Sequence, residues 1–264
     1  MEIIGEKING TRKLVAKAVA ERDAEYIKDL AVKQAEAGST WLDVNAGTHP
    51  DQEPDDLRWL IETIQPVLDI PLCLDSANPK ALKAGLETVS KTPMINSISG
   101  EPQRLAEVLP LAAEYGCQVI ALAMDDKKIP DTGEKRVEII EKVIAATRAA
   151  GVPDNRVYCD PLAMTLATKN DSAITAIETI RAIHAAYPEV HFTAGLSNIS
   201  FGLPARKYVN RAFLTLAMGA GLDCAILDPL DRELMTAILA TELALGKDKH
   251  CLNYLRAARA GLFS

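Results

Sequence analysis

Nowhere does the chain hold the roughly 18 uninterrupted apolar residues that a membrane helix requires. Its first residues run straight into a strand-like stretch, without the charged leader and apolar core of a signal peptide. A soluble, cytoplasmic protein is the expectation. Lysine and arginine form no run, and 29 of them stand against 36 aspartates and glutamates, a formal charge of -7. That balance repels phosphate backbones, so nucleic acid is not an expected partner. The five cysteines (Cys73, Cys117, Cys159, Cys224 and Cys251) form no C-x-x-C pair, and no histidine stands at ligand spacing. Neither zinc nor a disulfide frame is expected; Cys73, Cys159 and Cys224 fall inside predicted strands, where a thiol acts as a small buried hydrophobe. No Gly-x-Gly-x-x-Gly follows the first strand, which disfavours an open dinucleotide-binding sheet. Internal repeats and low-complexity tracts are also lacking.

What the chain does contain is a short apolar run, eight times over, each breaking off at a polar residue. The runs are Glu2 to Ile8, ending near Glu6 and Asn9; Trp41 to Val44, at Asp43 and Asn45; Leu72 to Leu74, at Asp75; and Met94 to Ile95, at Asn96. Val119 to Met124 follows, ending at Asp125, then Val157 to Cys159 at Asp160, Phe192 to Leu196 at Ser197 and Asn198, and Cys224 to Leu227 at Asp228. The spacing leaves room for a helix between each pair. A (β/α)8 barrel uses about 250 residues, so the 264 here predict one domain spanning 1–264. In such a barrel the carboxyl ends of the strands surround one mouth, bringing together polar groups that are scattered in sequence.

The intervening segments read as amphipathic helices. Asp23 is placed to cap a helix with Ile27, Leu30, Ala31 and Ala35 on one stripe, ended by Gly38. Asn78-Pro79 opens a helix carrying Leu82, Leu86 and Val89, and Leu105, Val108, Leu109 and Ala112 repeat the pattern before Gly116. Val137, Ile140 and Ile144 follow the fifth strand, and Asp171 precedes Ile174, Ile177 and Ile180. Two longer stretches rich in Asp, Pro and Gly, Gly47 to Asp56 and Asp125 to Lys135, read as loops over the mouth.

The predicted mouth offers carboxylates and carboxamides but no histidine and no cysteine nucleophile. An aspartate at a strand end is often only a helix cap, so each is weighed against the start of the next helix. Asp228 precedes Pro229 and reads as such a cap. Asp75 and Asp160 do not, because Asn78 and Asp171 already stand in the capping positions, and both read as functional. Asn96 suits either an Asx turn or the edge of a heterocycle, which its carboxamide can meet with donors and an acceptor. Gly195 would let a flat ligand approach the backbone beside Asn198. Glu6, Asp43, Asp75 and Asp160 form an alternative oxygen donor set for a divalent cation, and a Schiff-base aldolase would have only Lys7 to offer.

The segments Ile4-Gly-Glu-Lys-Ile-Asn-Gly, Leu42-Asp-Val-Asn-Ala-Gly, Leu72-Cys-Leu-Asp-Ser, Met94-Ile-Asn-Ser, Asp160-Pro-Leu and Gly195-Leu-Ser-Asn-Ile-Ser-Phe-Gly-Leu-Pro, taken in order, resemble the methyltetrahydrofolate:corrinoid methyltransferases. They also resemble the folate domain of cobalamin-dependent methionine synthase. The resemblance runs from about Glu2 to Asp228 and implies a pterin-binding barrel in which Asp75, Asn96 and Asp160 hydrogen-bond the pterin. It further implies that Asn198 contacts N5, the atom that carries the methyl group, with Asp160 or a water completing the proton route. Glu6, Asp43, Asn45, Met124, Gly195 and Ser197 are expected to line the folate site, and Arg206 to reach the glutamate tail or a docking partner. The resemblance implies tetrahydrofolate or methyltetrahydrofolate as substrate and no metal of the chain's own. Cobalamin would be carried by a separate corrinoid protein docking near Phe201, Leu203 and Pro204, since no Asp-x-His-x-x-Gly cobalamin signature is present. Relatives work in both directions; the Ser-Phe-Gly-Leu-Pro stretch and Asp125-Asp126 tilt the expectation toward methyl-corrinoid to tetrahydrofolate in a demethylation system. A homodimer is implied, with the Ala-rich helices from Leu234 to Leu245 as a candidate interface. Two competing readings are a dihydropteroate-synthase-like enzyme, for which the mouth is too acidic to hold pyrophosphate, and a folate-binding module without catalysis.

Overall fold

The expected barrel is present in the computed structural model, which describes residues 1–263. Its strands are β1 (Glu2–Asn9), β2 (Trp41–Asn45), β3 (Leu72–Asp75), β4 (Met94–Ser99), β5 (Gln118–Leu122), β6 (Val157–Asp160), β7 (His191–Phe192) and β8 (Cys224–Leu227). Around them lie α1 (Lys13–Glu21), α2 (Ala24–Glu36), α3 (Glu53–Ile64), α4 (Pro79–Leu86), α5 (Pro102–Glu114), α6 (Gly133–Ala149), α7 (Ser172–Ala186), α8 (Arg206–Ala220), α9 (Arg232–Ala244) and α10 (Leu252–Arg259). The strands pair in parallel in the order β7-β6-β5-β4-β3-β2-β1-β8. Between β7 and β8 there is no regular ladder; the Gly195–Ile226 bridge and the bond from Ile226 N–H to the Ala194 carbonyl close the barrel.

Side-chain alternation along the strands divides the interior in two. One set of residues packs outward against the helices, forming the main core with Ile8, Leu42, Leu74 and Val119 among its members. The other set, Ile4, Trp41, Cys73, Met94, Ile120, Tyr158 and Cys224, fills the barrel with one residue from each of seven strands. Below this plug, at the amino ends, the Glu2 carboxylate accepts from Trp41 Nε1 at 3.2 Å and from the Tyr158 hydroxyl at 2.9 Å. With that end plugged by a packed layer, the opposite mouth is the open one.

Strand register then sets the mouth. Asp75 pairs with Asn96, Asn9 with Asn45 and Leu122 with Asp160, so the polar strand ends lie beside one another. Asp43 pairs with Cys73, further down into the barrel, and is accordingly buried.

Several expectations need correcting. The first helix, α1, was not expected: Arg12 at its N-cap makes no capping bond and no acid stands in its first turn, although Val15, Ala18 and Val19 are buried. The seventh strand is only His191–Phe192, because the apolar Leu196 and Ile199 are buried by a 3-10 turn, Leu196–Ser200, rather than by a strand. The fifth strand stops at Leu122, where the chain turns so that Met124 N–H meets the Leu122 carbonyl. Both loops are shorter than expected, α3 starting at Glu53 and α6 at Gly133. Asp171 occupies a helix N-cap but its side chain accepts no capping bond, and Ile174 faces outward. Asp228 does not cap α9, for Asp231 does so by accepting from Leu234 N–H; Asp228 is drawn instead to Lys7, at 2.6 Å. Asp23 and Asn78 cap α2 and α4 as expected.

Candidate active site

At the floor of the mouth, Asn45 donates through Nδ2 to Asp75 Oδ2 at 3.0 Å, and Asn96 donates through Nδ2 to Asp43 Oδ1 at 3.3 Å. Each bond fixes one end of a side chain and leaves the other for a ligand. Asp75 keeps its second carboxylate oxygen and Asn96 its carbonyl oxygen, so this floor presents acceptors. The side-chain Oδ1 of Asn45 is buried with no partner, a further acceptor in the same place.

Burial governs the charges here. The Asp43 carboxyl is held well above the usual carboxylate range by burial first and by the neighbouring Asp75 charge second, with the Asn96 bond opposing. Asp75 is also raised by burial, and its bond from Asn45 pulls the other way. Two acids in one low-dielectric site do not both ionise freely, and the upward shift is the larger at the deeper Asp43. Asp160 is pushed up to about 6 by burial, against the backbone N–H groups of Leu162 and Gly195 and the nearby Arg136. Leu162 holds a left-handed φ of 60° as its N–H reaches Asp160 Oδ1 at 2.7 Å.

Two cavities lie at this mouth, on neighbouring strand ends where Leu122 pairs with Asp160. One, of about 280 Å³, is lined by Asp75, Asn96, Ser97, Ser99, Arg104 and Met124 among others. The second, of about 310 Å³, is lined by Ile129, Asp160, Leu162, Met164, Asn198 and Phe201. Asn198 is exposed on the 3-10 turn, and a Cβ on Gly195 would lie 2.9 Å from its Nδ2, so only glycine leaves the carboxamide its place. A larger cavity, of about 530 Å³, lies away from the mouth, where Met1, Ile3, Gly38, Met235, Ile238 and Leu239 line it; its apolar walls offer no such set of acceptors.

Thus Asp75, Asn96 and Met124 share one lobe, Asp160 and Asn198 the other, and Asp43 and Asn45 support the floor from β2. Glu6 stands apart, at the β1 side, in an ion pair with Arg12 at 2.7 Å; burial raises its carboxyl while Arg12 opposes. Arg206 donates to the Ser197 carbonyl at 2.6 Å and to Ser200 Oγ at 3.0 Å, so in this structure its guanidinium staples the turn. Arg104 was not anticipated: from α5 it donates to the carbonyls of Ser97, Ala77 and Ser76, each at 2.7 Å, and clamps the loops after β3 and β4. Among the described residues, no group of three or more His, Cys, Asp or Glu is arranged to hold a metal ion.

The model of the pterin binding enzyme family matches residues 5–228. The chain belongs to that family. Within it, this pterin-binding barrel is 43% identical to methylcorrinoid:tetrahydrofolate methyltransferase of Eubacterium limosum, over 99% of this chain and 97% of the relative. It is 34% identical to methionine synthase of Mycobacterium tuberculosis over 85% of this chain, which spans about a fifth (20%) of that much longer protein. Dihydropteroate synthase from Stenotrophomonas maltophilia shares its fold, with a TM-score of 0.71 at 18% identity, covering 95% of this chain and 94% of that one. No helix among the described residues is long and apolar enough to cross a membrane.

Proposed function

We propose that this protein is a methyltransferase that passes a methyl group from a separate methyl-corrinoid protein to N5 of tetrahydrofolate, within a demethylation system. One observation carries the reading: a floor of acceptors, fixed by Asn45 and Asp43, at the same mouth as an exposed carboxamide, with Leu122 of the first cavity paired to Asp160 of the second. A tetrahydropterin presents N–H and amino donors along one edge, which the free oxygens of Asp75 and Asn96 suit, with Asp160 as a further acceptor when ionised. N5 would then lie at the junction of the two lobes, beside Asn198. The full-length likeness to the Eubacterium limosum enzyme supports the same substrate pair and direction.

In that direction N5 begins with a proton, bonds the methyl carbon and must lose the proton, while the electron pair of the broken bond stays with cobalt. Asn198 follows this change with a hydrogen bond that strengthens in the transition state. Asp160, at about 6, is mostly ionised at pH 7 and takes the proton directly or through a water. Gly195, Ser197 and Met124 complete the lining, with Glu6 off to the β1 side. The cations nearest the floor are already engaged, Arg104 by three carbonyls, Lys7 by Asp228 and Arg12 by Glu6. Pyrophosphate chemistry of the dihydropteroate synthase kind therefore lacks free cations there.

Phe201 is 68% exposed beside the second lobe and, with Leu203 and Pro204, forms the surface proposed for the corrinoid partner. The exposed Leu245, Leu252 and Leu255 extend the C-terminal face proposed to join two copies. The cytoplasm is the proposed compartment. The test is anaerobic mixing with methylcobalamin and tetrahydrofolate, and with Co(I) cobalamin and methyltetrahydrofolate, followed by the cobalamin spectrum. Turnover should fall roughly 100- to 1000-fold in Asn198→Ala, with folate still bound. Folate binding without any spectral change, with free cobalamin and corrinoid proteins alike, would leave only a passive binder.

A further inference from the structure

Next to the Asn198 lobe lies a third cavity, of about 280 Å³, lined by Ile129, Asp131, Arg136, Met164, Thr168 and Lys169 among others. It shares Ile129 and Met164 with that lobe, so the two adjoin. Its walls hold an unusual arginine. Arg136 is fully buried; its Nε donates to the Pro130 carbonyl at 3.1 Å and its Nη1 to the carbonyls of Pro161 and Leu162, at 2.7 and 2.9 Å. The Nη2 edge has no partner. The carboxylates of Asp160, Asp131 and Asp171 act on the guanidinium only across space. Lys169, beside it, gives its ammonium to the Asp131 carbonyl, while the Asp131 carboxylate is paired with Lys128 at 2.6 Å. Two cations without a paired carboxylate therefore face one small cavity. A buried guanidinium with an open donor edge is costly, and a carboxylate, with two oxygens, is the group that completes it.

We infer that this third cavity takes the glutamate tail of folate, its carboxylates held by Lys169 and the open edge of Arg136; the inference rests on the folate reading of the mouth. The path has the right chemistry in the right order. The tail leaves the pterin at the carbon next to N5, which places its start beside Asn198. Its benzoyl ring is flat and apolar and meets Ile129, Leu162, Met164 and Phe201. Its amide then delivers the first glutamate to Thr168, Lys169 and Arg136. Further γ-linked glutamates continue toward Lys127, Lys128 and Lys135, which line the adjoining cavity with Pro130 and Asp131.

The test compares binding of tetrahydropteroate, which has no glutamate, with tetrahydrofolate and its triglutamyl form, at low and high salt. The intact protein should bind tetrahydrofolate about tenfold more tightly than tetrahydropteroate, a preference that salt weakens. In Lys169→Gln, a partly exposed position that should fold normally, the preference should vanish while tetrahydropteroate affinity holds. Arg206→Gln, which loosens the turn, should alter both ligands equally and keep their ratio. Equal affinities in the intact protein, a preference that survives Lys169→Gln, or one that collapses in Arg206→Gln would each overturn the assignment. Failure of tetrahydropteroate itself to bind would instead overturn the pterin site on which it rests.

Discussion

Asp160 is buried at the end of β6 with its carboxyl at about 6, so near neutral pH the free protein carries a charge where burial disfavours it. The ordinary value is 3.8, below the folded one, so between these two values the folded chain binds more protons than the unfolded chain. Stability therefore falls as pH rises through that window, and the full cost is present above it. Asp160→Asn removes the charge and keeps an acceptor for the Leu162 N–H. It should stabilise the free protein at pH 8 by roughly 1–3 kcal/mol and confer little at pH 4, while weakening folate binding. Urea unfolding at the two pH values checks this; equal gains at both would refute the charge argument. Asp75, Asn96 and Asp160 were legible in sequence because each interrupts an apolar run at the mouth end of a strand. Asp228 misled because Pro229 follows it, as after a helix cap. What overrides that local pattern is Lys7, 221 positions away in sequence, whose charge only the closed barrel brings within 2.6 Å.

At the scale of elements, the loops after β1 and β2 touch through bare backbone. A Cβ on Gly10 would lie 1.9 Å from the Ala46 carbonyl oxygen, and one on Gly47, whose φ is +61°, 2.7 Å from the Gly10 carbonyl carbon. Gly10 N–H also donates to the Asn45 carbonyl at 2.8 Å, so this contact positions the residue that orients Asp75. Gly10→Ala should cost about 1–3 kcal/mol of stability and loosen pterin binding along with it. Gly219, on the exposed face of α8 with nothing near its Cβ, supplies the contrast: Gly219→Ala should stabilise by about 0.5–1 kcal/mol without touching affinity. Paired unfolding and folate titrations separate the two; a harmless Gly10→Ala would show that the loops yield. Helices with an Asx cap, such as α2 and α4, could be placed from sequence, whereas α1 could not, since burial of Val15, Ala18 and Val19 and not any cap holds it.

Across the whole molecule, the barrel was readable because eight apolar runs and their polar ends obey a single topology. The parts that were not readable come from helices and loops folding back on the mouth. Arg104 and Arg136 sit in ordinary amphipathic helices, and nothing local marks them as clamps; only the docking of those helices brings their guanidiniums to loop carbonyls. Exposed Phe201 and the C-terminal leucines likewise become surfaces only when the fold turns them outward. The break in the ladder between β7 and β8 carries a consequence of its own. A barrel held by continuous ladders breathes evenly, but this one has a clasp: the Gly195–Ile226 bridge, three residues from Asn198. A molecule lying against both Asp160 and Asn198 would fasten it. Amide deuterium uptake in residues 193–200 and at Ile226 should then be fast in the free protein and slow markedly with tetrahydrofolate, while β2 to β5 barely change. Uniform slowing around the ring would mean that the clasp is already shut, and that the substrate enters a vessel whose rim never opens.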